Sequence, residues 1–106
     1  MSRGRVYMQG KTAGIIESVD GLFVFTYDDA YLADPQNPSV SLTLPRSQKV
    51  FTSDVLFPFF FGLLAEGELK TLQCRTLKID EDDHFTRLLK TAGGDTIGAV
   101  TVEEIL

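Results

Sequence analysis

The sequence predicts an α+β fold: a small, mostly antiparallel β-sheet from the N-terminal half, about three short helices packed on it, and a closing C-terminal strand. Apolar residues alternate with a period of two through much of residues 5–44, as they do in strands with one buried face. After residue 57 they recur at helical spacing instead. At 106 residues the chain can bury one hydrophobic core, so we expect residues 1–106 to form a single domain.

Composition and charge narrow the class of protein. The net charge is −5 and there is no basic run, so direct binding to nucleic acid is not expected. The longest apolar run, residues 56–65, is interrupted by Pro58 and Gly62 and has about half the length that a membrane-spanning helix needs. The polar N-terminus lacks a signal-peptide pattern, and a single cysteine fits a reducing compartment. We therefore expect a cytoplasmic protein that contacts neither membrane nor nucleic acid.

The N-terminal half is predicted to begin with strands joined by tight turns. β-Branched and aromatic residues on both sides of Gly10-Lys11 indicate a hairpin. A second turn is predicted at Asp20-Gly21. The strand that follows places two sets of side chains on opposite faces: Phe23, Phe25 and Tyr27 on one, and Leu22 and Val24 on the other.

The rest of this half is predicted to be a loop and one more strand. Residues 34–39 contain two prolines, which prevent regular strand pairing. Residues 40–44 alternate again and are ended by Pro45. We expect three side chains of this strand to face the core: Val40, Leu42 and Leu44.

The second half is predicted to be helical. A first helix begins near Phe57, with Pro58 in its first turn, and ends near Ala65. A second helix opens at Gly67 and Glu68, where an acidic side chain favours the positive end of the helix dipole. Three leucines of the second helix are expected to face the core: Leu69, Leu72 and Leu77.

The third helix has the clearest periodicity. Residues 80–83 supply acidic caps, and the apolar residues after them share one face: Phe85, Leu88, Leu89 and Ala92. Gly93-Gly94 is predicted to end this helix. Residues 97–105 are predicted to form the closing strand.

Sequence patterns for binding phosphate or calcium are weak. Five residues separate Gly4 from Gly10, one more than a phosphate-binding loop allows, and a strand follows where that loop requires a helix. The acidic run 80–83 invites comparison with a calcium loop. In such a loop a glycine and a glutamate would stand where this chain has Phe85 and Thr91. We therefore interpret the first segment as a hairpin and the second as the start of a helix.

The residues for catalysis or zinc binding are also too few. His84 and Cys74 are the only residues of their types, so neither a zinc site nor a Cys–His pair can be assembled. We expect His84 to be exposed on its helix and Cys74 to be a small packing residue. The prediction is a protein that has no cofactor, no metal and no enzymatic activity.

The phenylalanines of residues 57–61 raise the question of an exposed surface. A short helix buries one stripe of side chains, and four phenylalanines in five positions span too wide an arc for one stripe. One or two of them must therefore point into a second layer of the domain or toward a partner.

Several short motifs, in order and at matching spacing, resemble one protein family. They are "SLTLP" at 41–45, "PFF" at 58–60, "LL" at 63–64, "EGE" at 66–68, "GGD" at 93–95 and "GA" at 98–99. Together they resemble the N-terminal subdomain of HipA-like serine/threonine kinases, which are bacterial toxins of toxin–antitoxin operons. The resemblance covers roughly residues 5–102. The chain departs from the family pattern at Phe61, Gly62 and Ala65.

The resemblance implies a function in kinase inhibition. These 106 residues contain none of the kinase catalytic motifs. A free-standing copy of the subdomain is similar to the HipS-like antitoxins of three-component HipB–HipS–HipT systems. Such an antitoxin neutralises a HipT-like kinase toxin by direct binding, and a HipB-like DNA-binding protein is a further expected member of the complex. Two alternatives stay open: a non-catalytic structural module cut from a full-length HipA-like kinase, and an unrelated enzyme or small-ligand binder.

If the chain inhibits a kinase, the turn at residues 64–68 is the expected contact. It joins two predicted helices, and its glycine allows close approach of a partner. Its glutamates could reach a cationic nucleotide site, or they could only cap the next helix. The predicted partner-binding residues are Phe57, Phe61, Leu64, Ala65, Glu66, Gly67 and Glu68.

Overall fold

The computed structural model describes residues 2–93 and 99–106. Within them a five-stranded antiparallel sheet has the strand order β4-β3-β2-β1-β5. The strands are β1 (Ser2–Met8), β2 (Lys11–Val19), β3 (Leu22–Tyr27), β4 (Val50–Ser53) and β5 (Val100–Ile105). The helices are α1 (Asp29–Ala33), α2 (Pro58–Phe61), α3 (Gly67–Leu77) and α4 (His84–Thr91). The predicted α+β class is confirmed.

Two tight hairpin turns set the register of the first three strands. Gln9-Gly10 and Asp20-Gly21 all have positive φ, between 50° and 83°, as two-residue turns that match the strand twist require. The second turn lies where it was predicted, whereas the first lies one residue before Gly10-Lys11. Lys11 instead begins β2, where it pairs with Met8.

The core lies between one face of the sheet and the helices. The two predicted faces of β3 are confirmed: Phe25 and Tyr27 face the core with Phe23 at its edge, and Leu22 on the other face is exposed. The most deeply buried residues of the strands are Val6, Ala13, Ile16, Phe25, Tyr27 and Val102. Phe60 and Leu88 meet them from the helical side, and neither has any exposed surface.

Helix α4 forms as predicted and packs on this face. The Asp83 side chain caps it by accepting a hydrogen bond from the Thr86 amide at 3.1 Å. The predicted apolar face is buried in full: Phe85, Leu88, Leu89 and Ala92. The helix ends at Thr91, just before Gly93. Gly94 and residues 97–98 of the predicted closing strand lie outside the described residues, and β5 begins at Val100.

The predicted strand at 40–44 is wrong. Residues 41–44 form a tight turn closed by a bridge between Ser41 and Leu44, and Leu42 at its tip is 99% exposed. Val40 and Leu44 do face the core, as predicted. The turn is stabilised locally, because the Ser41 hydroxyl accepts a hydrogen bond from the Thr43 amide.

A buried polar network explains why this segment turns back instead of pairing. The Tyr27 hydroxyl donates to the Leu44 carbonyl and accepts from the Val40 amide. The Arg46 guanidinium donates to the carbonyls of Leu32, Asp34 and Asn37 at 2.5–2.9 Å. The Tyr27 hydroxyl thus satisfies two backbone groups of this segment that would otherwise need a neighbouring strand, and Arg46 ties the residue after Pro45 to the chain that precedes the turn.

Two elements were missed, and one predicted face is wrong. The short helix α1 and the edge strand β4 were not predicted, since neither is long enough to show a clear period. In α3 the leucines expected in the core, Leu69, Leu72 and Leu77, are about half exposed. The side chains of α2 and α4 already fill the inner face of the sheet, so α3 lies outside them. Cys74, its one buried residue, is the packing residue that was predicted.

No helix in the described ranges is both long and apolar enough to cross a membrane.

Replacing Tyr27 tests the polar network. Tyr27→Phe removes the hydroxyl that bonds Leu44 and Val40, leaving two buried backbone groups without that partner. We expect the free energy of unfolding at pH 7, measured by urea denaturation, to fall by about 1–3 kcal/mol. Tyr7→Phe on the opposite face of the sheet serves as the matched control, and equal losses in both variants would contradict the assignment.

The same variant tests the pH dependence of stability. Burial raises the pKa of Tyr27 above its ordinary value of 10.0, so the folded chain keeps this proton where the unfolded chain loses it. The resulting stability is complete below pH 10 and is lost as the pH rises toward the raised pKa. Tyr27→Phe should therefore lose less stability above pH 10 than the unaltered chain. Some decline remains because burial also raises the pKa of Tyr31.

A candidate interaction site at the turn between two helices

The four phenylalanines at the start of the site point in different directions. Pro58 occupies the first turn of α2, as predicted, and the helix makes a single turn. Phe60 is fully buried and Phe57 nearly so, while Phe59 packs at the edge of the core. Phe61 is 45% exposed. The expectation that at least one phenylalanine points away from the core is confirmed, and that residue is Phe61.

Phe61 is held in place by an aromatic contact with α4. Its ring meets His84 edge-on, with the ring centroids 4.9 Å apart and the planes at 83°. His84 was predicted to be exposed, but it is half-buried in this contact. The exposed ring of Phe61 therefore has a defined orientation before any partner arrives.

A buried arginine holds the turn after α2. Arg87 is 3% exposed, and its Nη2 donates a hydrogen bond to the Ala65 carbonyl at 2.8 Å. Its Nη1 lies 3.2 Å from Nδ1 of His84. A charged donor makes a strong hydrogen bond to a backbone carbonyl in a buried setting. Arg87 thus connects α4 to the turn and to the residue that orients Phe61.

The two glutamates of the turn differ in their surroundings. Glu66 occupies the N-cap position of α3, yet its side chain makes no capping hydrogen bond. Glu68 lies in the first turn of α3, where it favours the positive end of the helix dipole. Both are exposed. These glutamates were expected either to stabilise the start of α3 or to contact a partner. The position of Glu68 fits the first role, whereas the Glu66 side chain does not cap the helix.

Gly67 opens the surface between the glutamates. Its φ is +62°, a left-handed conformation that favours glycine, and a Cβ built on it would meet no atom within 4 Å. The backbone of the turn is therefore accessible from outside.

These residues surround a shallow cavity of about 230 Å³. Its lining consists of Phe61, Leu64, Ala65, Glu66, Gly67, Lys70 and Arg87. The structure thus brings together five of the seven predicted residues. Glu68 faces an adjoining cavity, and Phe57 lies in the core beneath. The role of all seven in partner binding stays a prediction.

Three residues of the site were missed from the sequence: Lys70, His84 and Arg87. Arg87 lies two positions after Phe85 and therefore on the opposite side of α4 from the buried stripe. That placement predicts an exposed side chain. Only the packing of α2 and the turn against this side of α4 buries it.

The site offers apolar surface, two carboxylates and two cations. Among the described residues, no three or more histidine, cysteine, aspartate or glutamate side chains are grouped so as to hold a metal ion.

Removing the arginine donor tests how the turn is held. Arg87→Met keeps much of the apolar volume but removes the hydrogen bond to Ala65. Since a charge-assisted hydrogen bond contributes about 1.5–3 kcal/mol, amide hydrogen exchange in residues 64–68 should become at least about tenfold faster. Arg75→Met, on the exposed side of α3, is the control. Unchanged exchange in Arg87→Met would show that the turn is held by other contacts.

Comparison with known proteins identifies the family to which the fold belongs. Residues 4–103 match the family described as HipA N-terminal domain. A solved structure described as the N-terminal domain of HipA toxin superposes with a TM-score of 0.75 at 32% identity. The match covers 100% of this chain and 94% of that one.

Relatives occur at two very different lengths. An uncharacterized protein of Haemophilus influenzae is 37% identical over 101 residues, which cover 95% of this chain and 91% of the relative. The putative kinases Y4mE and Y4dM of Sinorhizobium fredii are 30% and 33% identical over 96 and 89 residues. Here the chain spans only 23% and 22% of the relatives' length. With the family match over nearly its whole length, this chain belongs to the family of HipA N-terminal domains.

Proposed function

We propose that this protein is an antitoxin that neutralises a HipA-like serine/threonine kinase toxin by binding it directly, as in a HipB–HipS–HipT-type system. The observation that carries the proposal is the exposed turn at residues 64–68, held by Arg87 within a HipA N-terminal domain. A turn that is ordered before binding loses less conformational entropy when a partner closes on it.

The lengths of the relatives support binding in trans. The Haemophilus relative is only slightly longer than the region it shares with this chain, so the domain occurs in a small protein. In the putative kinases the same domain is followed or preceded by other sequence that makes up more than three-quarters of their length. We infer that this chain binds a separate kinase in the cytoplasm, whereas the putative kinases contain the same domain within one longer polypeptide.

The proposed role is non-enzymatic. The family match is to an N-terminal HipA domain and includes no kinase catalytic domain. The chain would act on the kinase through contact alone. Kinases bind nucleotide phosphates with cationic groups and metal ions, and the carboxylates of Glu66 and Glu68 are suited to a cationic surface of this kind. Phe61, 45% exposed, would add an apolar anchor beside them.

A second candidate function is that of a non-catalytic structural module of a full-length HipA-like kinase. The similarity to the two Sinorhizobium putative kinases favours it. Both functions use the same domain. They differ in whether the kinase is a separate protein or part of the same polypeptide.

The proposal predicts that a HipA-like kinase is encoded beside this gene, and co-expression of the two proteins tests it. If the chain is an antitoxin, cells that produce the kinase alone stop growing, and cells that also produce this chain recover and yield a co-purifying complex. A HipB-like protein would be identified as a third component in the same purification. Growth arrest that this chain does not relieve, with no complex recovered, would contradict the antitoxin function and favour the structural module.

Substitutions in the turn predict graded changes in neutralisation. Ala65→Trp adds a large apolar side chain at the turn and should tighten the Kd for the kinase by about tenfold or more, since buried aromatic anchors dominate interfaces. Ala65→Asp, or Glu66→Ala, should weaken binding by about tenfold. The Kd values can be measured by titration calorimetry.

The controls separate binding from folding. The two substituted side chains, Ala65 and Glu66, lie at the edge of the surface and on it, so thermal unfolding should change little in all three variants. Glu103→Ala on β5 is a matched acidic control away from the turn and should bind as the unaltered chain does. If the three turn variants also bind and neutralise like the unaltered chain, the turn is not the contact.

A further inference from the structure

Helix α3 lies on the outside of the domain and exposes apolar side chains. Of its eleven residues only Cys74 is buried. Leu69, Leu72 and Leu77 are 54%, 57% and 47% exposed. They fall at i, i+3 and i+8, the spacing of a helix that packs one side against a neighbour. We refer to these three residues as the leucine stripe.

The exposed leucine stripe is a candidate surface for packing against another protein. An isolated helix of about eleven residues is marginal in water, and most helical stability comes from packing of an apolar side. Within the domain the inner face of the sheet is already covered by α2 and α4. A cluster of exposed leucines on one helix is the kind of surface that protein interfaces use.

The charges around the stripe indicate what kind of surface would cover it. The protein has a net charge of −5, but α3 and its C-cap carry Lys70, Arg75 and Lys78 against the single acidic residue Glu68. In the part of the chain that the structure describes, the two ion pairs join Lys49 to Asp29 and Lys90 to Glu104, away from α3. Lys70 and Arg75 line a cavity together with the acidic residues 80–82 but form no ion pair with them, so both cations can still pair with acidic groups of a partner.

A cavity beside the stripe continues to the turn described above. It has a volume of about 480 Å³ and is lined by Gly67, Glu68, Thr71, Leu72 and Arg75. Since Gly67 belongs to both cavities, one partner surface could follow the turn and then the length of the helix.

We propose that the leucine stripe docks into an apolar groove on the kinase, and that aspartate or glutamate side chains at the rim of the groove pair with Lys70 and Arg75. The inference rests on the proposed function, because it assigns a second contact surface for the same kinase. It is a helix-in-groove interaction, with leucines as anchors and the flanking cations setting the orientation.

A double substitution in the stripe tests this docking surface. The Kd of the full chain for the kinase encoded beside its gene is measured for the unaltered chain, for Leu69→Ser/Leu72→Ser and for Leu42→Ser. Leu42 is a leucine outside α3 that is 99% exposed, so it controls for the loss of exposed apolar surface alone. We expect the double variant to raise the Kd by about thirtyfold or more, as loss of central anchors does, and the control by less than about twofold.

Circular dichroism of the free proteins separates docking from folding. Because the substituted side chains are about half exposed, the double variant should keep its helical signal and its melting transition. If the double variant folds and binds within about twofold of the unaltered chain, the docking surface is wrong while the antitoxin function stands. If the unaltered chain does not bind the kinase, both are overturned.

Two further measurements decide the occupant of the stripe. Arg75→Glu should slow association at low salt by about tenfold and less at high salt, and an unchanged on-rate would overturn the acidic rim. Sedimentation of the free chain should show a monomer at micromolar concentration. A dimer that Leu69→Ser/Leu72→Ser dissociates would assign the stripe to a second copy and overturn docking to the kinase.

Discussion

The packing of α4 on the inner face of the sheet is the contact on which the rest of this structure depends. The helix approaches closely because Gly4 has no side chain: a Cβ there would lie 2.7 Å from Leu89 and 2.8 Å from Val102. On its other side the same helix carries Arg87, which bonds the Ala65 carbonyl. One helix therefore links the core to the exposed turn. Most residues of the turn are at the surface, but the turn is held by a hydrogen bond from the buried Arg87 side chain.

The groups with raised pKa values lie in the polar network of Tyr27 and not at the turn. Burial raises the pKa of Tyr27 and of Tyr31, and the hydroxyls of both donate hydrogen bonds to backbone carbonyls. The surface between α2 and α3 instead combines an oriented aromatic ring, an open glycine and free carboxylates. The proposed function requires only that this surface contact a kinase, and such contact is possible whether the kinase is attached or separate.

Local pattern and tertiary context each decided different parts of the fold. The hairpin strands and α4 were predictable because the apolar residues that share a face, by a period of two or 3.6, are also the residues that are buried. Residues 40–44 also alternate, but the Tyr27 hydroxyl bonds the Val40 amide and the Leu44 carbonyl, two backbone groups that a strand would pair, so the segment turns back. In α3 the leucine spacing predicted a buried side, and that prediction is wrong because α2 and α4 already occupy the sheet.

The sequence by itself determined the fold class, the order of most elements and the location of the candidate site, including five residues that line one cavity. These follow from short-range spacing, turn chemistry and a resemblance carried by motifs along the chain. Only the tertiary structure decided which phenylalanine reaches the surface, that Arg87 is buried, and that the side of α3 is left open. Each of these depends on what packs against the opposite side of a helix. A helical period specifies which side chains share a face, but not whether a second element covers that face.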